Sequence, residues 1–182
     1  MTYNICVDYI YIEHIDETDY PDITFHFTGE VNIVNTATDI KCYGIYDFNT
    51  GSNVFVLPKK GKLYKNDVLI YEGKFTENGE YTGKCVLYHE NGNKQYEGTM
   101  LKHRYSGFGK EYDENGDMVY EGDWVDGLQY GLGDQYENDI MIYSGYWYHG
   151  SKTGMGQDYS SSSRIYDGEW KDNMWHGAGT HY

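Results

Sequence analysis

Four triplets, Gly107-Phe108-Gly109, Gly131-Leu132-Gly133, Gly154-Met155-Gly156 and Gly177-Ala178-Gly179, have the look of a phosphate-binding loop. Such a loop holds phosphate oxygens on backbone N–H groups, and it needs a third glycine, a Lys-Ser/Thr pair or a following helix to do so. None of the four has these. Asp113-Glu114-Asn115-Gly116-Asp117 brings carboxylates together as a calcium loop does, but glycine is missing from its sixth position and Trp124 stands at the twelfth, where a bidentate Glu is needed. It reads as a turn. The seven His have no zinc spacing, and neither Cys-x-x-Cys nor a Gly-x-Ser-x-Gly nucleophile turn occurs. Glu121 and Asp123 flank Gly122 and read as the polar side of a strand, so no catalytic, cofactor or metal residue is assigned. The chain is expected to be no enzyme and to carry no cofactor.

The triplets share a place in a repeat. Tyr120-x-Gly122-x-Trp124 opens a unit that continues through Gly131-x-Gly133 to Tyr136; Tyr143, Gly145, Trp147, Gly154, Gly156 and Tyr159 repeat it, as do Tyr166, Gly168, Trp170, Gly177, Gly179 and Tyr182. Backwards it meets Tyr96, Gly98, Met100, Gly107, Gly109 and Tyr112, then Tyr71, Gly73, Phe75, Gly83 and Tyr88, with Cys85 in the place of the second glycine. Phe48, Gly61 and Tyr64, and before them Phe27, Gly29, Val31 and Tyr43, are degenerate copies. Self-similarity at a period of about 20–50 residues signals an array of identical supersecondary units.

Within a unit, spacing of two puts Tyr120, Gly122 and Trp124 on one side of a strand, with glycine leaving room for a neighbouring ring. Asp126-Gly127 reads as a tight turn into a second strand bearing Gly131, Gly133 and Tyr136, both glycines being packing positions. Asn91-Gly92 and Asn115-Gly116 mark the reversals between units, and Ser160 to Ser163 reads as a flexible polar connection. The expected fold is all-β: a single-layer, elongated antiparallel sheet of stacked hairpins, about a dozen strands in all. Residues 1–26 are expected to form an N-terminal β cap in which Ile5 to Ile12 pairs with Ile23 to Phe27, followed by degenerate hairpins over 27–70 and the regular array over 71–182.

The motifs resemble those of the MORN repeat proteins. Tyr120-Glu-Gly-Asp-Trp124 and Tyr166-Asp-Gly-Glu-Trp170 match that family's opening motif, and Gly131-Leu-Gly133 and Gly177-Ala-Gly179 its second half; the likeness covers 71–182 well, 27–70 weakly and 1–26 not at all. It implies a curved hairpin sheet that serves as a scaffold, often dimeric, with roles at membranes, at the cytoskeleton and in the particles of large DNA viruses. The same repeats occur in that family beside methyltransferase and lipid-kinase domains, so an accessory module of an enzyme complex is an alternative.

Hydrophobic residues make up 39% of the 182, and mean hydropathy is −0.75, thin for a two-layer core; twenty-two Tyr can fill the gap by burying ring bodies with their hydroxyls left in water. Cys6, Cys42 and Cys85 are odd in number and far apart, which suits a reducing compartment. With Asp8 and Glu13 near the start, no signal peptide is expected. The chain is therefore expected inside the cell, in the cytoplasm or in a large assembly such as a virion, and not secreted.

The net charge of −15 is uneven: residues 59–110 hold ten Lys/Arg against six Asp/Glu, 1–58 one against nine, and 111–182 three against fourteen. Lys59, Lys60, Lys62 and Lys65 form a basic cluster that is a candidate anion or phosphoinositide contact. A basic residue gains only about 1 kcal/mol at an anionic surface, and the flanking acidity opposes it, so membrane contact is expected to be weak and nucleic-acid binding absent. Trp170, Trp175 and Tyr182 are the candidate partner-binding residues, aromatic anchors on a last strand that presents an unpaired edge. The expected function is a non-enzymatic scaffold that binds other protein subunits, in a cytoskeletal or virion-associated assembly, with a homodimer through the C-terminal edge as one form. A peripheral membrane tether is the alternative.

Overall fold

The computed structural model describes residues 60–76 and 79–182 in full, together with the backbone of the strands at 4–5, 10–12, 24–35 and 38–49. Among the described residues fifteen strands follow one another: β1 (Asn4–Ile5), β2 (Ile10–Ile12), β3 (Thr24–Asn35), β4 (Thr38–Asn49), β5 (Lys60–Lys65), β6 (Val68–Phe75), β7 (Tyr81–Tyr88), β8 (Lys94–Leu101), β9 (Arg104–Tyr112), β10 (Met118–Val125), β11 (Leu128–Glu137), β12 (Ile140–Tyr148), β13 (Ser151–Ser160), β14 (Ser163–Lys171) and β15 (Met174–His181). Among the described residues there is no helix, and the fold is all-β and antiparallel, as the hairpin spacing predicts.

The chain divides into two compact units, Met1–Gly92 and Asn93–Tyr182. In the first, β3 to β7 pair in sequence order, and both β1 and β2 lie against β3. Ile10, Tyr11 and Ile12 face Phe27, His26 and Phe25, the return partner expected for the cap, and β3 runs across the boundary drawn at residue 26. The rest of that cap, including Val7, Tyr9 and the acidic stretch, lies outside the described residues. In the second unit β8 to β15 pair in sequence order, and β15 pairs with β14 alone among the described residues.

Turn chemistry sets the hairpins. Asp126-Gly127 has both φ angles positive, 52° and 83°, the mirror-image turn whose twist suits paired strands. Asn66-Asp67, Lys102-His103, His149-Gly150 and Asp172-Asn173 turn in the same way. Between repeats, Asp113 to Asp117 closes a longer turn in which the Asp113 carboxylate accepts the N–H groups of Asn115, Gly116 and Asp117 at 2.9 to 3.0 Å. One later connection differs from expectation. Ser161-Ser162 is a tight two-residue turn with φ of 49° and 66°, and Ser160 and Ser163 belong to strands, so this polar stretch is a hairpin tip and not a loose loop. Asn138-Asp139 does the same between β11 and β12.

Glycines face one another across the whole second unit: Gly98, Gly109, Gly122, Gly133, Gly145, Gly156, Gly168 and Gly179 are ladder partners in succession. Gly29, Gly44, Gly61 and Gly73 form a matching row in the first unit, which gives the degenerate copies a glycine at Gly44 that the motif alone leaves out. The core of the second unit is a set of buried rings, Tyr96, Tyr120, Trp124, Tyr143, Trp147, Tyr166 and Trp170, with Met100 buried among the same strands; in the first unit Tyr71, Phe75 and Cys85 are buried. The alternation puts Tyr120, Gly122 and Trp124 inward and leaves Asp123 and Val125 exposed.

Candidate functional site

The five regular repeats secure their Tyr in the same way. The hydroxyls of Tyr96, Tyr120, Tyr143 and Tyr166 donate to the carbonyls of Thr99, Asp123, Tyr146 and Glu169, each three residues on, at 2.8 to 3.2 Å, and Tyr71 bonds likewise to Lys74. Those carbonyls sit where the ladder shifts register, between Gly122 and Trp124 in the middle repeat, so the hydroxyl occupies an acceptor that the neighbouring strand leaves free. The core hydroxyls are therefore not left in water, as composition suggested; they are internal hydrogen bonds. Burial raises the phenol pKa of Tyr71, Tyr120 and Tyr143, with Asp123 and Asp134 adding to it at Tyr120 and Asp158 at Tyr143.

The two glycines of each triplet do different work. A Cβ on Gly133 would clash with the hydroxyl end of the Tyr120 ring, 2.7 Å from Cε2 and closer still to Cζ and the hydroxyl oxygen. Gly131 has φ of +67°, and its Cβ would meet the Asp123 carboxylate at 3.1 Å and no ring. Gly107, Gly154 and Gly177 share the positive φ. Only the second glycine is a packing position in the sense expected; the first is a backbone position that lets β11 bulge past Asp123. The indole N–H groups then tie repeat to repeat, Trp124 to the Gly109 carbonyl (3.3 Å), Trp147 to Gly133 (3.0 Å) and Trp170 to Gly156 (3.0 Å).

One position varies. Nine or ten residues after the Tyr of each repeat, a side chain lies against that Tyr: Tyr81 stacks on Tyr71 at 3.9 Å, Tyr105 on Tyr96 at 3.7 Å and Trp175 on Tyr166 at 4.7 Å, while the Lys152 ammonium lies 4.6 Å from the Tyr143 ring and 5.2 Å from Trp170. At Tyr120 the position is Gln129. A cleft of about 360 Å³ opens there, lined by Val119, Tyr120, Gln129, Gln135, Trp147 and Lys152 together with Gly150 and Asn173. Burial lowers the pKa of Lys152, partly opposed by Asp158. The Gln135 Oε1 atom is buried and has no hydrogen-bond partner. The motif gives no hint of this cleft except through the change of residue type at 105, 129, 152 and 175.

The residues singled out from sequence are dispersed. Trp170 is 5% exposed and bonded to Gly156, so it is core and not a contact anchor; its place in the motif, shared with Trp124 and Trp147, is the reason. Trp175 is 43% exposed, with its indole N–H on the Asp158 carboxylate at 3.1 Å, and Tyr182 is 66% exposed under the Arg164 guanidinium. All eight residues of β15 are exposed. In the basic cluster Lys62 pairs with Glu72 at 3.2 Å and Lys65 with Glu90 at 3.5 Å, Lys60 is exposed, and Lys59 lies outside the described residues. The hydrogen bond that the Lys62 ammonium donates to the Glu72 carboxylate raises the Lys62 pKa.

The face away from the rings carries a set that sequence reasoning missed. Phe108, Leu132, Tyr146 and Met155 are 58, 58, 49 and 53% exposed, with Leu132 directly opposite Tyr146, Phe108 opposite Asp123 and Met155 opposite Glu169. The middle residues of the Gly-x-Gly triplets supply three of the four, a signal present in the repeat once the glycines are known to face inward. Among the described residues no three His, Cys, Asp or Glu side chains gather to hold a metal, and no helix is long and apolar enough to cross a membrane. A comparison of the chain with protein-family models and with curated proteins finds no match to either.

Proposed function

We propose that this chain is a non-enzymatic scaffold, a repeat array that binds other protein subunits in a larger assembly. The observation that carries the reading is the apolar row Phe108, Leu132, Tyr146 and Met155, exposed beside acidic Asp123 and Glu169. An exposed apolar row with a charged border suits a partner surface better than solvent. The groups that could have done chemistry support it too: the triplet glycines, the core hydroxyls and the Asp113 carboxylate all hold the fold together. Residues 111–182 carry fourteen acidic side chains against three basic ones, so a basic partner is favoured, and self-pairing would set like charge against like. Lys62 and Lys65 already have carboxylate partners, which lends less support to a phosphoinositide tether. The resemblance to MORN proteins keeps cytoskeletal and virion-associated assemblies, and the dimer through Trp175 and Tyr182, as the specific forms to test.

The experiment is capture of partners from the native source by the wild type and by two variants, Phe108→Ser/Leu132→Ser/Met155→Ser on the apolar row and Met174→Glu/Tyr182→Lys on the free edge, with light scattering of each protein alone. Salt-sensitive capture of a basic protein, lost in the first variant, is the expected result. A wild type that remains monomeric and retains no protein partner would refute the scaffold reading.

A further inference from the structure

Inside the second unit, each strand that closes a repeat is covered by the strand that opens the next. β9, β11 and β13 receive β10, β12 and β14, and each opening strand brings a Tyr, a Gly and a Trp at two-residue spacing. The ladder fixes where they land. Gly145 faces Gly133 and Gly168 faces Gly156, while Trp147 faces Gly131 and Trp170 faces Gly154, the glycines with positive φ. The indole N–H groups close on the carbonyls of Gly109, Gly133 and Gly156, and the rings meet edge-on, Trp124 at 4.9 Å from Tyr105 and Trp170 at 4.9 Å from Tyr143.

β15 has the same form and, among the described residues, lacks the cover. Gly177 has the positive φ, Gly179 is the ladder partner of Gly168, and Trp175 stacks on Tyr166 as Tyr105 stacks on Tyr96. Yet Gly109, Gly133 and Gly156 are buried, and Gly179 is exposed. The backbone groups of the edge also point where an incoming strand needs them. The Tyr182 N–H donates inward to the Ile165 carbonyl at 3.1 Å, and antiparallel pairing alternates along a strand, so the N–H and C=O of His181 and Gly179 face away from β14. The chain has four Trp, and all four indoles already have acceptors, the last being Trp175 on Asp158. A second copy fares no better: two β15 strands paired about Gly179 would put His181 opposite Gly177, where the array places a Trp.

We infer that the free edge of β15 is a docking site for a β-strand of a different protein carrying Tyr-x-Gly-x-Trp, paired antiparallel with its Tyr opposite His181, its Gly opposite Gly179 and its Trp opposite Gly177. Strand addition draws affinity from main-chain hydrogen bonds and specificity from alternate side chains. Here the specific element is the indole, which donates to the Gly179 carbonyl and lies edge-on to Tyr166 and Trp175. This inference rests on the scaffold reading and names the strand that one of its surfaces accepts.

The test uses the whole chain and a synthetic hairpin that copies residues 140–160, whose first strand carries Tyr143, Gly145 and Trp147. The readouts are the nuclear magnetic resonance signal of the Trp175 indole and the hydrogen exchange of the Gly179 and His181 amides. Saturable binding with slowed exchange at both amides is expected, and a hairpin with Trp147→Ala should bind about tenfold or more weakly. In the chain, His181→Pro removes an outward N–H that an edge strand can spare, whereas His181→Gln keeps it and copies Gln135, the residue at this place two repeats earlier. Binding should be lost in the first and kept in the second, with circular dichroism and an unchanged Trp124 indole signal verifying both folds. If His181→Pro does not fold, the Trp147→Ala hairpin alone decides. No binding by the wild type, equal binding of the Trp147→Ala hairpin, or equal binding by folded His181→Pro would overturn the inference. So would a wild-type dimer whose β15 edge the hairpin cannot enter, since the edge then belongs to a second copy. If the hairpin fails while the wild type still captures a partner, this inference falls and the scaffold reading stands.

Discussion

Substituting the two glycines of one triplet separates their roles. In Gly133→Ala the new methyl strikes the hydroxyl end of the Tyr120 ring, which has little room to retreat: the hydroxyl is bonded to the Asp123 carbonyl, and Trp124 and Trp147 press edge-on at 4.9 and 5.4 Å. Overpacking costs about 1–3 kcal/mol, and loss of the hydroxyl's hydrogen bond adds about 1 kcal/mol, for a total of about 2–4 kcal/mol. In Gly131→Ala there is no ring to meet, only the Asp123 carboxylate at 3.1 Å, and the cost is that of a left-handed backbone, about 1–2 kcal/mol. Asparagine reverses the order. It tolerates positive φ, so Gly131→Asn should cost less than Gly131→Ala, whereas the larger side chain makes Gly133→Asn worse than Gly133→Ala. Urea unfolding followed by tryptophan fluorescence and circular dichroism gives all four values. If Ala and Asn rank the same way at both positions, or if Gly131→Ala costs more than Gly133→Ala, the division of labour is refuted.

Two pH predictions follow from the buried and bonded groups. Because burial raises the phenols of Tyr71, Tyr120 and Tyr143, the stability they contribute is complete below the unfolded value of about 10 and is lost as pH rises beyond it; urea midpoints should fall on the alkaline side, and Tyr143→Phe should flatten that fall. On the acid side, desolvation works to raise the Asp113 carboxyl, but the bonds from Asp117, Asn115 and Gly116 outweigh it and hold the group below its ordinary value. Its contribution is present above about pH 4 and lost as pH falls through the lower native value, so Asp113→Asn should be less stable at neutral pH and less sensitive to acid.

Much of this architecture is legible in the sequence because its cause is local. Two-residue spacing puts Tyr120 and Trp124 on one face, and Asp126-Gly127 announces its turn by composition. What escapes is whatever depends on which strand lies opposite. Gly131 and Gly133 look alike in a repeat, yet one lies opposite a bulge and the other under a ring, a difference set by a register shift between Gly122 and Trp124. Gly44 is invisible to the motif and plain in the ladder. Ser161-Ser162 has none of the Asn, Asp or Gly that usually fill a turn with two positive φ angles, yet both residues adopt them. Trp170 is core and no anchor because it holds the motif position of Trp124 and Trp147, a role that its nearness to β15 does not change. The cleft at Gln129 escaped because a site made by a missing ring has no residue of its own to announce it.

The ladder of the second unit also fixes how it answers mechanical load. Among the described residues each strand from β8 to β15 is bonded to its sequence neighbours alone, and the ladder bonds run across the strands, along the stacking direction. Tension applied in that direction, through a tether on Tyr182, opens the bonds between β14 and β15 a few at a time, as a zipper opens. It does not load them all at once, as shear along the strands would. The Trp170 indole bond to Gly156 and the stack of Trp175 on Tyr166 are then successive catches. Extension should proceed in steps of one hairpin, with the repeats behind each catch still folded.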